Sequence, residues 1–316
     1  MNLPPQRGGA WFVSIVIVSW NTRELLRQCL TSTLEACREL PGPVDVIVVD
    51  NASSDGSARL VRHEFPTVRV IENTSNIGFA AATNQGIRES RGRYVLLLNP
   101  DTKATADSLR VLVSFAADHP AAGAVGPRLV GKHGEDQVSC SPLPTLVREL
   151  WRLFHLDRFY GLATYPFGRG QAENPHSVES IEGACMLLRR EALEQTGLLD
   201  DRFYIYTEEV DLCRRLLEYG WQIFLVPRAV IVHYGGASTR QVELRMFLEL
   251  YRSKVQYFRK YQGVWGAIAY KVVLFAATLP RLVVALALVA FFPSRRQRWR
   301  RLLKNYSSLL IQLPAF

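Results

Sequence analysis

The 316-residue chain is 48% hydrophobic and 21% charged, which provides for one large α/β domain with an appendage and excludes disorder over most of its length. Its formal net charge of +9 is concentrated: residues 242–304 hold 13 Lys/Arg against 2 Asp/Glu, leaving 25 against 27 elsewhere. Basic residues interleaved with long apolar runs point to an anionic membrane surface and argue against nucleic acid, because this tail carries LVVALALVAFF where base-reading aromatic or polar residues would be needed.

Residues 1–11 read as a flexible N-terminus. The apolar run Trp11 to Val18 is short and leads into a polar turn without a small-residue cleavage site, so no signal peptide is expected and the protein should stay in the cytoplasm. Ser14–Ser19, Val44–Asp50, Val68–Glu72 and Tyr94–Asn99 are short aliphatic segments bounded by turns, the pattern of buried parallel strands. Between them Arg23–Cys37, with Leu26, Leu30 and Leu34 at four-residue spacing, and Ala80–Ser90 read as helices. Alternation of this kind predicts an α/β fold with a single doubly wound, mostly parallel sheet flanked by helices. Polar groups gather at the strand ends: Ser19 with Asn21, Asp50 with Asn51, and Asn99 with Asp101. They mark the carboxyl edge, where open α/β sheets bind ligands. Thr22, Ser53 and Ser57 read instead as caps and turn residues. The first strand runs into SWNTREL with no glycine fingerprint, which removes the nicotinamide dehydrogenase reading.

Residues 138–180 mix Pro142, Pro144, Pro166 and Pro175 with Trp151, Phe154, Phe159, Tyr160, Tyr165 and Phe167, an irregular insertion that either packs on itself or walls an acceptor site. Ala184–Arg189, Gln222–Val226 and Val230–His233 read as strands, a helix begins near Glu208, and a longer one runs from about Val242 to Tyr261. The segment Val264–Phe292 is interrupted by Lys271 and Pro280-Arg281. Its apolar halves Val272–Leu279 and Leu282–Phe292 are each too short to span a bilayer core of roughly 30 Å, so an interfacial or re-entrant hairpin is expected, or helices packed on protein. Arg259 and Lys260 before it, and Arg295, Arg296, Arg298, Arg300, Arg301 and Lys304 after it, keep both ends on the cytoplasmic side. The five cysteines lack metal-ligand spacing and read as buried thiols.

Three groups carry chemistry. Asn99-Pro100-Asp101 sets oxygen side chains at a strand end that proline terminates, a hard-cation site for Mg²⁺ or Mn²⁺ or, alone, simply a turn. His233 ends an apolar strand before Tyr234-Gly235-Gly236, either aimed into a cleft or buried as a structural histidine. Glu208, Glu209 and Asp211 crowd the start of a helix, as a general base does, or as a cap.

SIVIVSWN, VIVVDNASSDGS, NTSNIGFAAATNQG, YVLLLNPDT, EGACMLLRREALEQTGLLDDRFYIYTEEVDLCRR and HYGGAS, in this order, make the chain resemble the family 2 glycosyltransferases of GT-A fold, and among them the bacterial rhamnosyltransferase-like branch, over roughly residues 12–262. The resemblance implies a 12–241 catalytic domain containing the 138–180 insertion, and a membrane-associating 242–316 region. It implies Asp101 and His233 as ligands of a metal on the donor's diphosphate, with Asn99 in place of the usual first acid. Glu209 falls at the base position, where the family usually has Asp, which leaves Glu208 and Asp211 as alternatives. Asp50, with Asn51, falls at the nucleoside-binding position; Ser19 and Asn21 flank the base, and Asn76, Gly78 and Asn84 approach the ribose and diphosphate. The activity implied is inverting transfer of a sugar from a nucleoside diphosphate sugar donor, with dTDP-L-rhamnose favoured. The acceptor implied is a polyprenyl-diphosphate-linked saccharide in cell-surface polysaccharide synthesis. A galactofuranosyl or other hexosyl donor is the rival reading, an inactive nucleotide-sugar-binding module a further one, and a homo-oligomer is left open.

Overall fold

The computed structural model describes residues 13–40, 42–164, 174–236, 239–291 and 296–316. The N-terminal stretch 1–11, Tyr165, Pro166 and Phe167, the Ala237-Ser238 end of HYGGAS, Phe292 and Arg295 lie outside these. In chain order the elements are β1 (Val13–Ser19), α1 (Arg23–Cys37), β2 (Val44–Asp50), α2 (Ser57–Glu64), β3 (Arg69–Glu72), α3 (Phe79–Glu89), β4 (Tyr94–Leu98), β5 (Thr102–Lys103), α4 (Ala106–Asp118) and β6 (Ala122–Val130). They continue with β7 (Cys140–Ser141), α5 (Leu146–Leu153), β8 (His176–Ser177), β9 (Ser180–Ile181), β10 (Cys185–Arg189), α6 (Arg190–Thr196), α7 (Glu208–Glu218), β11 (Gln222–His233), α8 (Glu243–Phe291) and α9 (Arg296–Gln312).

The chain divides into two compact units, one of residues 1–143, 167–204 and 208–241, the other of residues 144–166, 205–207 and 242–316. The expected 138–180 insertion is therefore split: its 144–166 part groups with the C-terminal helices.

The first unit is a nine-stranded sheet in the order β3-β2-β1-β4-β10-β6-β11-β5, with β8 paired to β11. β3, β2, β1 and β4 are mutually parallel, as are β6 and β11, while β10 runs antiparallel between β4 and β6. Burial on both faces explains why β1 and β4 read as unbroken apolar runs: every residue of both is buried. Leu26, Leu30 and Ala36 of α1 and Leu109, Leu112 and Val113 of α4 join Ile15, Ile17 and Leu96 in one core. Two expectations change. Gln222–Val226 and Val230–His233 form one strand, β11, whose register against β6 shifts between Val226 and Val230, where Pro227 cannot donate to the ladder. Strand β6 had no sequence signal, because AGAVGPRLV places two glycines and a proline inside it. The cysteines are free thiols, four of them buried, and burial raises Cys29 to about 11 and Cys213 to about 12.

The second unit is helical. Gly263 breaks α8 with φ 68° and ψ −165°. Phe258 and Tyr270, twelve residues apart and so about 18 Å apart on a straight helix, stack with ring centroids 4.7 Å apart, so the helix doubles back at Gly263. The second arm, 264–291, continues through Pro280, where Thr278 Oγ1 donates to Leu274 O and Arg281 Nη1 to Ala277 O. The expected apolar halves are thus one arm, and the hairpin turn falls at Gly263 instead of Pro280. Lys271 Nζ donates to Pro314 O at 3.1 Å, and Phe247 meets Tyr306 edge-on, which ties the C-terminal turn after α9 to the second arm and α9 itself to the first. Inside the unit Glu149, fully buried, pairs with Lys254 at 2.6 Å and Arg152 at 3.3 Å.

Candidate active site

The strand register brings the polar strand ends to one edge: Ser19 lies opposite Asp50, and Asp50 opposite Glu72. Pro100 ends β4 and lets Asn99–Asp101 leave the sheet, while Asn99 N–H still donates to Ala184 O at 2.9 Å. The chain then pairs again as β5, with Thr102 opposite His233 at the end of β11. That two-residue strand sets Asp101 beside the histidine. Tyr234 N–H donates to Asp101 O at 2.9 Å, and His233 Nε2 lies 3.4 Å from Asp101 Oδ1, the two side chains only 18% and 7% exposed. Gln137 meets the imidazole from the other side, Oε1 2.9 Å from Nδ1 and Nε2 donating to His233 O at 2.8 Å. Among the described residues no group of three His, Cys, Asp or Glu closes a full metal shell. A carboxylate and an imidazole converging in a mostly buried corner are donors that fit a Mg²⁺ or Mn²⁺ ion.

The acids of α7 separate into different environments. Asp211 is fully buried and accepts from Arg215 Nε at 2.9 Å, while Arg215 Nη1 and Nη2 donate to Thr196 O and Leu198 O. Through Arg215 it is tied to the loop after α6. Glu208 is buried, its Oε2 without a partner among the described residues. Burial, then the neighbouring charges of Glu209 and Glu182, hold its carboxyl well above the usual range. Glu209 is half-buried against Gly183, where a Cβ would sit 3.6 Å from its own Cβ. Gly183 leads through Ala184 to Asn99, so Glu209 faces the same edge as Asp101. Tyr206 and Thr207, entering α7, both have left-handed φ, 68° and 71°, a strained backbone of the kind concentrated at functional sites.

At the nucleotide end only Asp50 keeps a buried acceptor open. Its Oδ1 accepts from Ser53 N–H at 2.8 Å, its Oδ2 has no partner among the described residues, and burial raises its carboxyl. Six neighbours expected to touch the donor are engaged within the protein. Ser19 Oγ is buried against Thr22 Oγ1 at 2.9 Å. Asn51 donates to Asn76 Oδ1 and Gly78 O and accepts from Asn73 and Ile77, the backbone-satisfying work of a buried amide. Asn76 Oδ1 also accepts from Gly78 N–H and from Tyr204 Oη. Asn84 exchanges both its polar atoms with the main chain of Leu199, at 2.7 and 3.0 Å. Gly78, φ 93°, makes room for Tyr204, whose O would lie 2.7 Å from any Cβ there. Asn21, at φ 52°, accepts from Ser54 N–H and so shapes the turn beside Asp50. Asn99 is half-buried. Gln137 and Tyr204 escaped the sequence reading, since only the folded chain sets them beside His233 and Gly78; Arg215 was also missed, although its place four residues after Asp211 on one helix was a signal that could have found it.

A mostly parallel sheet of this order, with polar groups and acids gathered at its carboxyl edge, has the architecture of the GT-A fold. The family model described as glycosyl transferase family 2 matches residues 14–197, and the chain belongs to that family. It is similar to an N-acetylglucosaminyl-diphospho-decaprenol L-rhamnosyltransferase of Mycobacterium tuberculosis, 30% identical over 241 residues that cover 71% of this chain and 76% of the relative. It is also similar to a low-salt glycan biosynthesis hexosyltransferase of Haloferax volcanii, 28% identical over 64% of this chain and 61% of the relative. Among solved structures, a mannosyltransferase from Pyrobaculum calidifontis in complex with GDP-Man and Mn²⁺ superposes with a TM-score of 0.55 at 18% identity, over 99% of this chain and 89% of that one, which shows the shared fold.

Proposed function

We propose that this glycosyltransferase moves L-rhamnose from dTDP-L-rhamnose, with inversion, to a polyprenyl-diphosphate-linked saccharide at the cytoplasmic face of a membrane. The observation that carries the reading is the Asp101–His233 pair at 3.4 Å on the carboxyl edge of the sheet. These two residues would hold Mg²⁺ or Mn²⁺, which when bound neutralises charge on the departing diphosphate. Asp50 offers its unpartnered Oδ2 to the N3–H of a pyrimidine base, a donor that thymine and uracil carry and cytosine lacks. Burial holds the Glu208 carboxyl well above the usual range, so the proposed base is Glu209, the more exposed of the two. Glu209 takes the proton of the acceptor hydroxyl as that oxygen attacks the anomeric carbon and the carbon–oxygen bond to the diphosphate breaks. The rhamnosyl and lipid-diphosphate choices are supported by the mycobacterial relative.

Access to a lipid-linked acceptor is supported by the second arm of α8. It is part of a helix long and apolar enough to cross a membrane, and its most apolar stretch is largely exposed. Trp265, Ile268, Val272, Phe275, Leu279 and Val283, spaced three and four apart, form an exposed apolar stripe. The opposite side is held by α9 and by Arg281, which bonds Leu153 O and His155. An arm so tied to its neighbours, with Arg300, Arg301 and Lys304 exposed on α9, lies in the plane of an anionic surface.

The test is a transfer assay with N-acetylglucosaminyl-diphospho-polyprenol and a panel of dTDP-L-rhamnose, UDP-galactofuranose and GDP-mannose. Turnover with dTDP-L-rhamnose above the others is expected; turnover only with another donor overturns the assignment of the sugar.

A further inference from the structure

His233 arrives at the site as the last residue of β11, yet its imidazole is gripped by a residue outside the strands. Beyond β6 the chain makes a tight reversal: Gly131 N–H donates to Glu135 O at 2.7 Å and Val130 bridges Asp136 antiparallel. Gln137 then returns alongside β6, its N–H donating to Leu129 O at 3.0 Å. Because β6 and β11 are parallel neighbours with Val130 opposite Val232, this return sets Gln137 next to His233.

The two contacts between them fix the chemistry of the ring. A main-chain carbonyl accepts and never donates, so the Gln137 atom 2.8 Å from His233 O is the amide nitrogen. The amide oxygen, equally unable to donate, is then what faces Nδ1 at 2.9 Å, so Nδ1 carries the hydrogen. A neutral imidazole has one N–H. In that neutral ring Nε2 presents a lone pair, and Nε2 lies 3.4 Å from a carboxylate oxygen of Asp101. Two electron-rich atoms held this way repel unless a positive charge lies between them.

We propose that Gln137 is the positioning residue that locks His233 in the Nδ1–H tautomer, so that Nε2 is presented to a divalent cation shared with Asp101. The inference rests on the metal reading of the Asp101–His233 pair. The fixed ring hydrogen sets both the tautomer and the orientation of the ligand, an arrangement that raises metal affinity by about 10–100-fold where it is present.

The experiment titrates the full-length protein with Mn²⁺, with and without dTDP, and reads free Mn²⁺ by electron paramagnetic resonance for wild type, His233→Ala, Gln137→Leu and Gln137→Glu. Expected is a dissociation constant about 10–100-fold weaker for His233→Ala and Gln137→Leu, with Gln137→Glu within a few-fold of wild type, because its carboxylate still accepts from Nδ1–H. A second readout, nitrogen–proton long-range correlation of the metal-free imidazoles with His233 assigned through His233→Ala, should show Nδ1 protonated and Nε2 bare in wild type and a different tautomer in Gln137→Leu. Wild-type affinity in His233→Ala sinks the metal reading itself. Weak binding in His233→Ala with wild-type binding in Gln137→Leu sinks the positioning role alone. So does Gln137→Glu binding as weakly as Gln137→Leu, or a wild-type ring protonated at Nε2, whether singly or as an imidazolium paired with Asp101.

Discussion

At the residue scale the proposed mechanism gives the acids of α7 separate tests. With Glu209 as the proposed base, Glu209→Gln removes only the proton acceptor, so kcat should fall by about 10²–10⁴ while the dissociation constant for donor stays within a few-fold; near-normal turnover would remove Glu209 as base. Glu208 is open to a separate measurement. Its folded carboxyl is raised, so between the ordinary glutamate value and that raised value the folded state binds more protons than the unfolded one, and stability falls as pH rises through the window. Glu208→Gln lacks this linkage. The thermal midpoint of wild type should therefore drop relative to Glu208→Gln between pH 5 and pH 8, and parallel curves would mean that Glu208 is not held protonated. Asp101 and His233 were singled out in the sequence because each stands where an apolar run changes abruptly to a polar turn, and Glu209 because acids crowd a helix start there. Gln137 was not, because its importance comes from a chain reversal that no local pattern encodes.

At the element scale, strands and helices with strong apolar periodicity were legible to within a residue or so, as with α1 and β2, and β6 was hidden by its own glycines and proline. The polar residues of the loops were harder to read. Asn51 and Asn84 stand next to a ligand edge and look like ligand contacts, yet buried main-chain groups of loops need partners, and these amides supply them. Asn84→Ala would leave the N–H and C=O of Leu199 unpaired in a buried place. A loss of about 1–3 kcal/mol in denaturant unfolding is expected, with little change in metal affinity. A stable variant that no longer binds donor would return Asn84 to the nucleotide.

At the scale of the whole molecule the basic, apolar C-terminal region was visible in composition, but its shape was not. The sequence marked Pro280-Arg281 as the interruption, whereas the turn sits at Gly263, where a left-handed φ ends one arm and starts the next. The exposed stripe of the second arm yields a direct prediction. Full-length protein with Trp265, Val272 and Phe275 all changed to serine should keep its thermal midpoint and lose flotation with anionic liposomes at low salt, and equal flotation would contradict the interfacial reading. Metal-assisted inverting transfer leaves its mark in the product itself. The anomeric configuration of the product formed from dTDP-β-L-rhamnose is read by NMR with Mn²⁺ present, and the yield is read again after exhaustive chelation. A single α-L-rhamnoside with metal and no product without it is expected; a β-linked product would overturn inversion, and full yield in chelator would overturn the role of the metal.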